Sequence, residues 1–326
     1  MKQKCVLLTI VFTLFMMALP LFAEVTGTWS GTAKSDGKLQ MSLHRGNSQH
    51  STPMAIGSFR SLTEGMIRAT ASAPVSFSLD REAGSIRFTG HFSDGLGSGH
   101  FRFEPATNFV SLMESLGVRT QRKNRTVLDE KDLFEMAMFD ISSQMVRELA
   151  SLGLRDLSLD QIVSLKIHGA GVEYIRGMQA LGYKSVSVDD IVSLKIHGVS
   201  SEYVKAMAAN GFRPTAEELT SMKIHGVSAA WVQDIRSAGY TALTVEDLLS
   251  MRIHGVSSEF VKELRLFGYE KLTAEDLVSL RIHGVSTNFI RELKDAGYEL
   301  VPVEKLVQMK IHGLDREFLR AVRVKK

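Results

Sequence analysis

The chain has 326 residues, 44% hydrophobic and 23% charged, with a formal charge of +3, which is material for a chain of more than one domain. Removing Lys2 and Lys4 with the N-terminal segment described next leaves about +1, so no overall field draws in nucleic acid or an acidic membrane. The single cysteine, Cys5, falls inside that segment, which excludes disulfides, cysteine metal sites and thiol nucleophiles from the rest of the chain.

Residues 1–23 read as a secretory signal. Lys2 and Lys4 supply the positive start, residues 5–22 are apolar apart from Thr9, Thr13 and Pro20, and Ala23 is placed for cleavage. The alternative is an uncleaved anchor through residues 5–22, near the lower length limit for a span. Either way the expectation is an exported chain, periplasmic or extracellular, with a membrane as partner only if the segment is retained.

Residues 24–106 are expected to form a small antiparallel β-domain, a sandwich or an open barrel. Apolar residues alternate there with the period of half-buried strands: Leu39, Met41, Leu43; Val75, Phe77, Leu79; Ile86, Phe88, Phe92; Phe101, Phe103. Turn residues separate them at Ser35-Asp36-Gly37, Arg81-Glu82-Ala83-Gly84 and Ser93-Asp94-Gly95-Leu96-Gly97. Gly27-Thr28-Trp29 matches the short lipocalin Gly-x-Trp signature, but the domain is too short for that barrel, and Trp29 reads as a core plug at one end of the sheet.

After Pro105 the period changes. Lys/Arg-Ile-His-Gly recurs with histidines at 168, 197, 225, 254, 283 and 312, spaced 29, 28, 29, 29 and 29. Such a fixed period marks a solenoid, here an α-α two-helix repeat. In the fifth copy Thr244 caps helix A, with Asp247 in capping-box position. Leu248, Leu249, Met251 and Ile253 are read as its apolar face, and Gly255 ends it. Ser257 caps helix B, with Phe260, Val261 and Leu264 apolar, and Gly268-Tyr269 closes the unit. Met138-Phe139-Asp140-Ile141-Ser142 holds the motif position of an earlier copy. The layout is therefore an orphan helix at 107–117, a basic loop at 118–127 (Arg119, Arg122, Lys123, Arg125) and seven repeats over 128–326. The orphan helix is expected to pack between the sheet and the first full repeat.

Several columns recur along the array. The structural repeat histidines His168, His197, His225, His254, His283 and His312 lie too far apart to share a metal, since stacked helices are about 8–10 Å apart. Each is expected to donate to a backbone carbonyl, with a pH-responsive ladder as the minority reading. Cations end helix A and acids begin it, as the helix dipole favours. A second cation column, Arg147, Arg176, Lys205, Lys262, Arg291 and Arg320, either pairs with acids of neighbouring repeats or forms a binding stripe; Gln233 is its gap. Aromatics at 174, 203, 231, 260, 289 and 318 suit an inter-repeat core. Tyr183, Tyr240, Tyr269 and Tyr298, with Phe212 between them, follow the closing glycines and are candidate surface aromatics.

No catalytic motif is found: the sequence has no Gly-x-Ser-x-Gly, no His-Glu-x-x-His and no P-loop. His91, His100 and Asp94 make only a weak metal or acid/base suggestion. No cofactor is expected.

Val75-Ser-Phe-Ser-Leu-Asp-Arg-Glu-Ala-Gly, Phe88-Thr-Gly-His-Phe-Ser-Asp-Gly-Leu-Gly-Ser-Gly-His-Phe and the Ile-His-Gly-Val repeats resemble a family of exported bacterial segments found downstream of membrane-embedded zinc peptidases of the penicillin-sensor class. The zinc motif and four membrane helices of those peptidases are missing, so the resemblance implies an extracytoplasmic sensing or interaction module without proteolytic activity. The expected function is a non-catalytic scaffold binding a protein or cell-envelope polymer through the repeats, with nucleic acid excluded and oligomeric state left open. A small-ligand sensor with its pocket in the β-domain, and a cell-envelope hydrolase, are the alternatives.

Overall fold

Alternation between Val25 and Pro105 builds six strands: β1 Val25–Ala33, β2 Lys38–Arg45, β3 Ser48–Ala55, β4 Ala73–Arg81, β5 Gly84–Ser93 and β6 Leu96–Pro105. This computed structural model describes residues 25–120 and 127–314. The expected signal, three of the four basic-loop residues (Arg122, Lys123 and Arg125), and Phe318 and Arg320 lie outside the described residues. The chain divides into two compact units, Met1–Arg147 and Glu148–Lys326.

In the first unit the strands form one antiparallel sheet in the order β3-β2-β1-β6-β5-β4. All six strands belong to this one sheet, so of the two expected forms, a sandwich or an open barrel, the sandwich is not the one observed. Two hairpin meanders meet where β1 pairs with β6. The tight hairpin after β5 uses Asp94 and Gly95 alone, both at positive φ as a type I′ turn requires. Gly97, read from sequence as a turn residue, lies within β6, as does Gly99.

Register puts the large apolar side chains on one face. Trp29 faces Leu43 on one neighbour and Gly99 on the other; Phe88 faces Phe77 and Phe101. Trp29 is 1% exposed and belongs to a central strand, so it fills the middle of the core rather than plugging one end. Its indole crosses Gly99 to donate from Nε1 to the Thr89 carbonyl on β5 at 3.1 Å. Gly99 and Gly90 face each other under it, and a Cβ at either would lie 1.9 or 2.1 Å from a neighbouring carbonyl oxygen. Phe77 and Phe92 pack against the indole at 5.3 Å. A 3₁₀ turn, Ile56–Ser58, and the short helix α1, Glu64–Arg68, link the two meanders, and α1 packs on β5 and β6.

The remaining helices are α2 Thr107–Ser115 and then alternating A and B helices. The A helices are α3 Glu130–Met138, α5 Leu159–Ile167, α7 Val188–Ile196, α9 Ala216–Ile224, α11 Val245–Ile253, α13 Ala274–Ile282 and α15 Val303–Ile311. The B helices are α4 Ser143–Ser151, α6 Val172–Ala180, α8 Ser201–Ala209, α10 Ala229–Ser237, α12 Ser258–Leu266 and α14 Thr287–Asp295. The orphan helix α2 contacts α3, but it is α3 of the first repeat that lies on the sheet, against β1, β5 and β6. Phe134 of α3 stacks on Phe101 at 5.6 Å and meets Phe103 edge-on at 5.5 Å. The first A helix therefore belongs to the sheet-bearing unit, whose boundary falls within α4.

In the second unit, A helices stack on A helices from α5 to α15, and B helices on B helices from α8 to α14. Each helix has nine residues, too few to hold alone in water, so burial between neighbours supplies the stability. Helix A starts at a Ser or Thr cap in five copies, and the capping box is complete at Ser158, Thr215, Thr244 and Thr273. The last copy starts at Pro302.

Candidate functional site

Ile-His-Gly-Val is the chemistry of a helix end. In the fourth copy Gly226 stands at φ 70°, its N–H donates to the Lys223 carbonyl at 3.2 Å, and the Val227 N–H reaches back to Met222 at 2.8 Å. These are the two bonds of a Schellman motif, with Val227 and Met222 as its buried hydrophobic pair. The same bonds recur at Gly169, Gly198, Gly255, Gly284 and Gly313. The first copy does it with Asp140, at φ 53°.

Two sequence columns prove to be one contact. In the last five A helices, α7 to α15, the closing cation lies over the aromatic ring of the preceding helix B: Lys195 over Tyr174 at 4.7 Å, Lys223 over Tyr203 at 4.8 Å, Arg252 over Trp231 at 5.4 Å, Arg281 over Phe260 at 5.2 Å and Lys310 over Phe289 at 5.0 Å. Such contacts are worth roughly 0.5–1 kcal/mol each when partly exposed. The Tyr174 and Tyr203 hydroxyls donate to the Val199 and Val227 carbonyls of the next repeat at 2.9 and 2.8 Å. Burial pushes both phenols up to about 12. Arg252 Nε also donates to the Gly226 carbonyl at 3.0 Å. These residues clasp repeat to repeat.

The expected surface tyrosines are mostly part of the same joinery. Tyr269 is buried, and its hydroxyl donates to the Val301 carbonyl at 2.7 Å; Tyr183 is half-buried and donates to Pro214 at 2.7 Å. Tyr240 is half-buried as well, and Tyr298 alone of the four is exposed. Burial raises the phenol values of Tyr183, Tyr240 and Tyr269. A tyrosine straight after a closing glycine points toward the next repeat, which the sequence does not reveal.

The helix B cations are exposed at Arg147, Arg176, Lys205, Lys262 and Arg291. Where they have partners, the hydrogen bonds and ion pairs stay on their own helix, while Arg291 also stands over the Phe267 ring of the preceding repeat at 5.6 Å. Arg176 pairs with Glu173, Arg291 donates to Asn288 at 2.8 Å, and Arg147 donates to Ser143 at 3.0 Å. Glu202 and Glu259 are held below the usual carboxylate range by their own backbone N–H and the capping serines, with Lys205 and Lys262 adding least.

The repeat histidines occupy the C-cap position of six of the seven A helices, α5 to α15; Phe139 holds it in α3. Five rings are exposed and that of His283 is half-buried. Among the described residues only His283 makes the expected carbonyl contact, Nδ1 to Ser279 at 2.8 Å. Likewise, among them no group of three or more His, Cys, Asp or Glu could hold a metal ion. His91 and His100 stand exposed on the polar face of the sheet, opposite Ser98 and Thr89.

The residue before each histidine is the surprise. Ile253 does not join the apolar face of helix A; it is 52% exposed, and Ile167, Ile196, Ile224, Ile282 and Ile311 are 54–61% exposed. Residues two apart on a helix do not share a face, so an isoleucine two positions after buried Leu165 or Met251 must point out. These six make up more than half of the eleven large apolar side chains exposed among the described residues. The helix ends thus carry, repeat after repeat, an outward Ile beside an outward His and a half-exposed or exposed cation.

The sheet-bearing unit holds a cleft of about 660 Å³ with Leu43, Phe101 and Phe134 as apolar wall and Arg45, His50 and Lys131 among its polar residues. Among the described residues no helix is long and apolar enough to cross a membrane. No protein-family model matches the sequence, and no curated protein matches it.

Proposed function

We propose that this chain is an exported, non-catalytic binding scaffold whose repeat array engages a protein or cell-envelope partner along the ends of its A helices. The observation that carries the reading is the isoleucine ladder. A β-branched apolar side chain at an exposed helix end adds nothing to helix stability, yet six consecutive repeats keep it there. The glycine, valine and cation of the motif each have a structural task in closing the helix or clasping the next repeat; the isoleucine has none visible in the fold. Exposed apolar side chains aligned in this way suit a contact surface.

Replacing Ile196, Ile224, Ile253 and Ile282 with Gln should leave circular dichroism and melting unchanged and abolish capture of a partner from an envelope extract. A parallel variant with Gln at Arg176, Lys205, Lys262 and Arg291 should keep both. Capture by the first variant at the wild-type level would refute the reading. The cleft beside Phe134 favours a second reading, a small-ligand sensor in the sheet-bearing unit. A small ligand bound by the full chain and lost on His50→Gln, with capture retained in the isoleucine variant, would favour it instead.

A further inference from the structure

We propose that the ladder takes an acidic polypeptide segment in the polyproline-II conformation, with an aliphatic side chain at every third residue. The proposal rests on the ladder being the binding face and adds the chemistry of the occupant.

Spacing comes first. Stacked A helices place successive isoleucines about 8–10 Å apart. Polyproline II has three residues per turn and rises 3.1 Å per residue, so every third side chain returns to the same side after about 9.3 Å. A β-strand returns same-side residues at about 6.5 or 13 Å. An α-helix sets its neighbouring stripe residues about 5.4 Å apart, or about 10.8 Å over two turns, past the upper end of the rung spacing. Of the regular conformations, polyproline II keeps step with the rungs one to one.

Hydrogen bonding agrees. The ladder has no free backbone edge for a strand to pair with, because the glycine and valine N–H groups at each rung are already spent inside the helix end. It offers side-chain donors instead: an exposed or half-exposed imidazole at each rung. Polyproline II makes no internal hydrogen bonds, so its carbonyls are free to accept from such donors.

Charge decides the rest. Every rung from Lys166 to Lys310 brings one cation to this edge. Among the described residues the exposed acids at the adjoining starts of helix B are Glu173, Glu202 and Glu259, and each stands beside a cation three residues on, at 176, 205 or 262. The edge is net positive, which an acidic segment complements. A bilayer would call for a broad apolar patch, whereas this is a single file, and an anionic glycan has no aliphatic side chain to set against isoleucine.

The test uses the full chain and four probes in titrations: a synthetic peptide of repeated Val-Pro-Glu triplets, the same peptide scrambled to break the triplet spacing, repeated Val-Pro-Lys triplets, and vesicles of an anionic phospholipid. The first peptide should bind at least about tenfold more tightly than the other two, and the four-isoleucine Gln variant should lose that preference. Equal binding of the scrambled peptide, binding only to vesicles, or no binding of any peptide would overturn the proposal. If that happens while the isoleucine variant still fails to capture its partner, the ladder stands as the binding face and only the occupant is wrong. If the variant captures normally, the ladder reading has itself failed.

Discussion

Substituting Gly226 separates backbone from side-chain causes in the repeat motif. Gly226 sits at φ 70°, and a Cβ built there would meet only the end of Arg252, at 3.6 and 3.7 Å, an ordinary contact. Gly226→Ala therefore adds no clash, and its cost is that of holding an L-residue in the left-handed region, roughly 1–2 kcal/mol. Asn tolerates that region better, and Asp140 already occupies the equivalent place in the first copy at φ 53°. Gly226→Asn should accordingly cost clearly less than Gly226→Ala. Native-state hydrogen exchange of the Val227 amide, which donates to Met222 at 2.8 Å, reads the helix end directly. Acceleration of about five- to thirtyfold is expected for the alanine variant, with the asparagine variant in between. Equal acceleration in both variants, or none in the alanine variant, would refute the Schellman explanation of the motif.

Two further outcomes follow from the joints between repeats. Helix α6 begins at Gly171, which makes no side-chain cap bond, where the next four B helices use a serine; Gly171→Ser should stabilise by a few tenths of a kcal/mol, seen as a small rise in denaturant midpoint. The Tyr174 and Tyr203 phenols stand at about 12 in the folded chain against an ordinary 10.0. The folded state favours the neutral phenol, so this stabilisation is whole below pH 10 and is lost as pH climbs through about 12. A double Tyr→Phe variant should show a shallower loss of stability across that window in denaturation at fixed pH values, and an unchanged profile would contradict the burial of these rings.

Much of the array is legible from its residues. The 29-residue period, the Ser/Thr caps and the glycine ends each have a local cause, and the structure follows them repeat by repeat. Local reasoning stops at the relation between repeats. Nothing in the string Lys195-Ile-His-Gly says that Lys195 lies over Tyr174, or that a tyrosine after a closing glycine donates to the following copy. Ile253 is a different case: counting residues from Met251 places it on the far side of the helix, and grouping it with the apolar face overlooks the 3.6-residue period. In the sheet, β3 escapes the alternation pattern because Ser48–Ala55 is a polar edge strand; its Pro53 is of the kind edges tolerate. Trp29 reads from sequence as a core plug at one end of the sheet; the pairing of β1 with β6 puts it at the centre. The contact of α3 with the sheet depends on Phe134 meeting Phe101 and Phe103, a long-range match with no local signal.

Whether the isoleucine edge of the array is the face that meets the partner can be measured by site-directed photo-crosslinking. A photoreactive residue is placed singly at 196, 224, 253 and 282, and for comparison at 205 and 262 on the B helices. In envelope extracts the four ladder sites should each give one and the same crosslinked product, and the two helix B sites none. A product formed from 205 and 262 and missing from the ladder sites would contradict the assignment and return the binding face to the helix B cations.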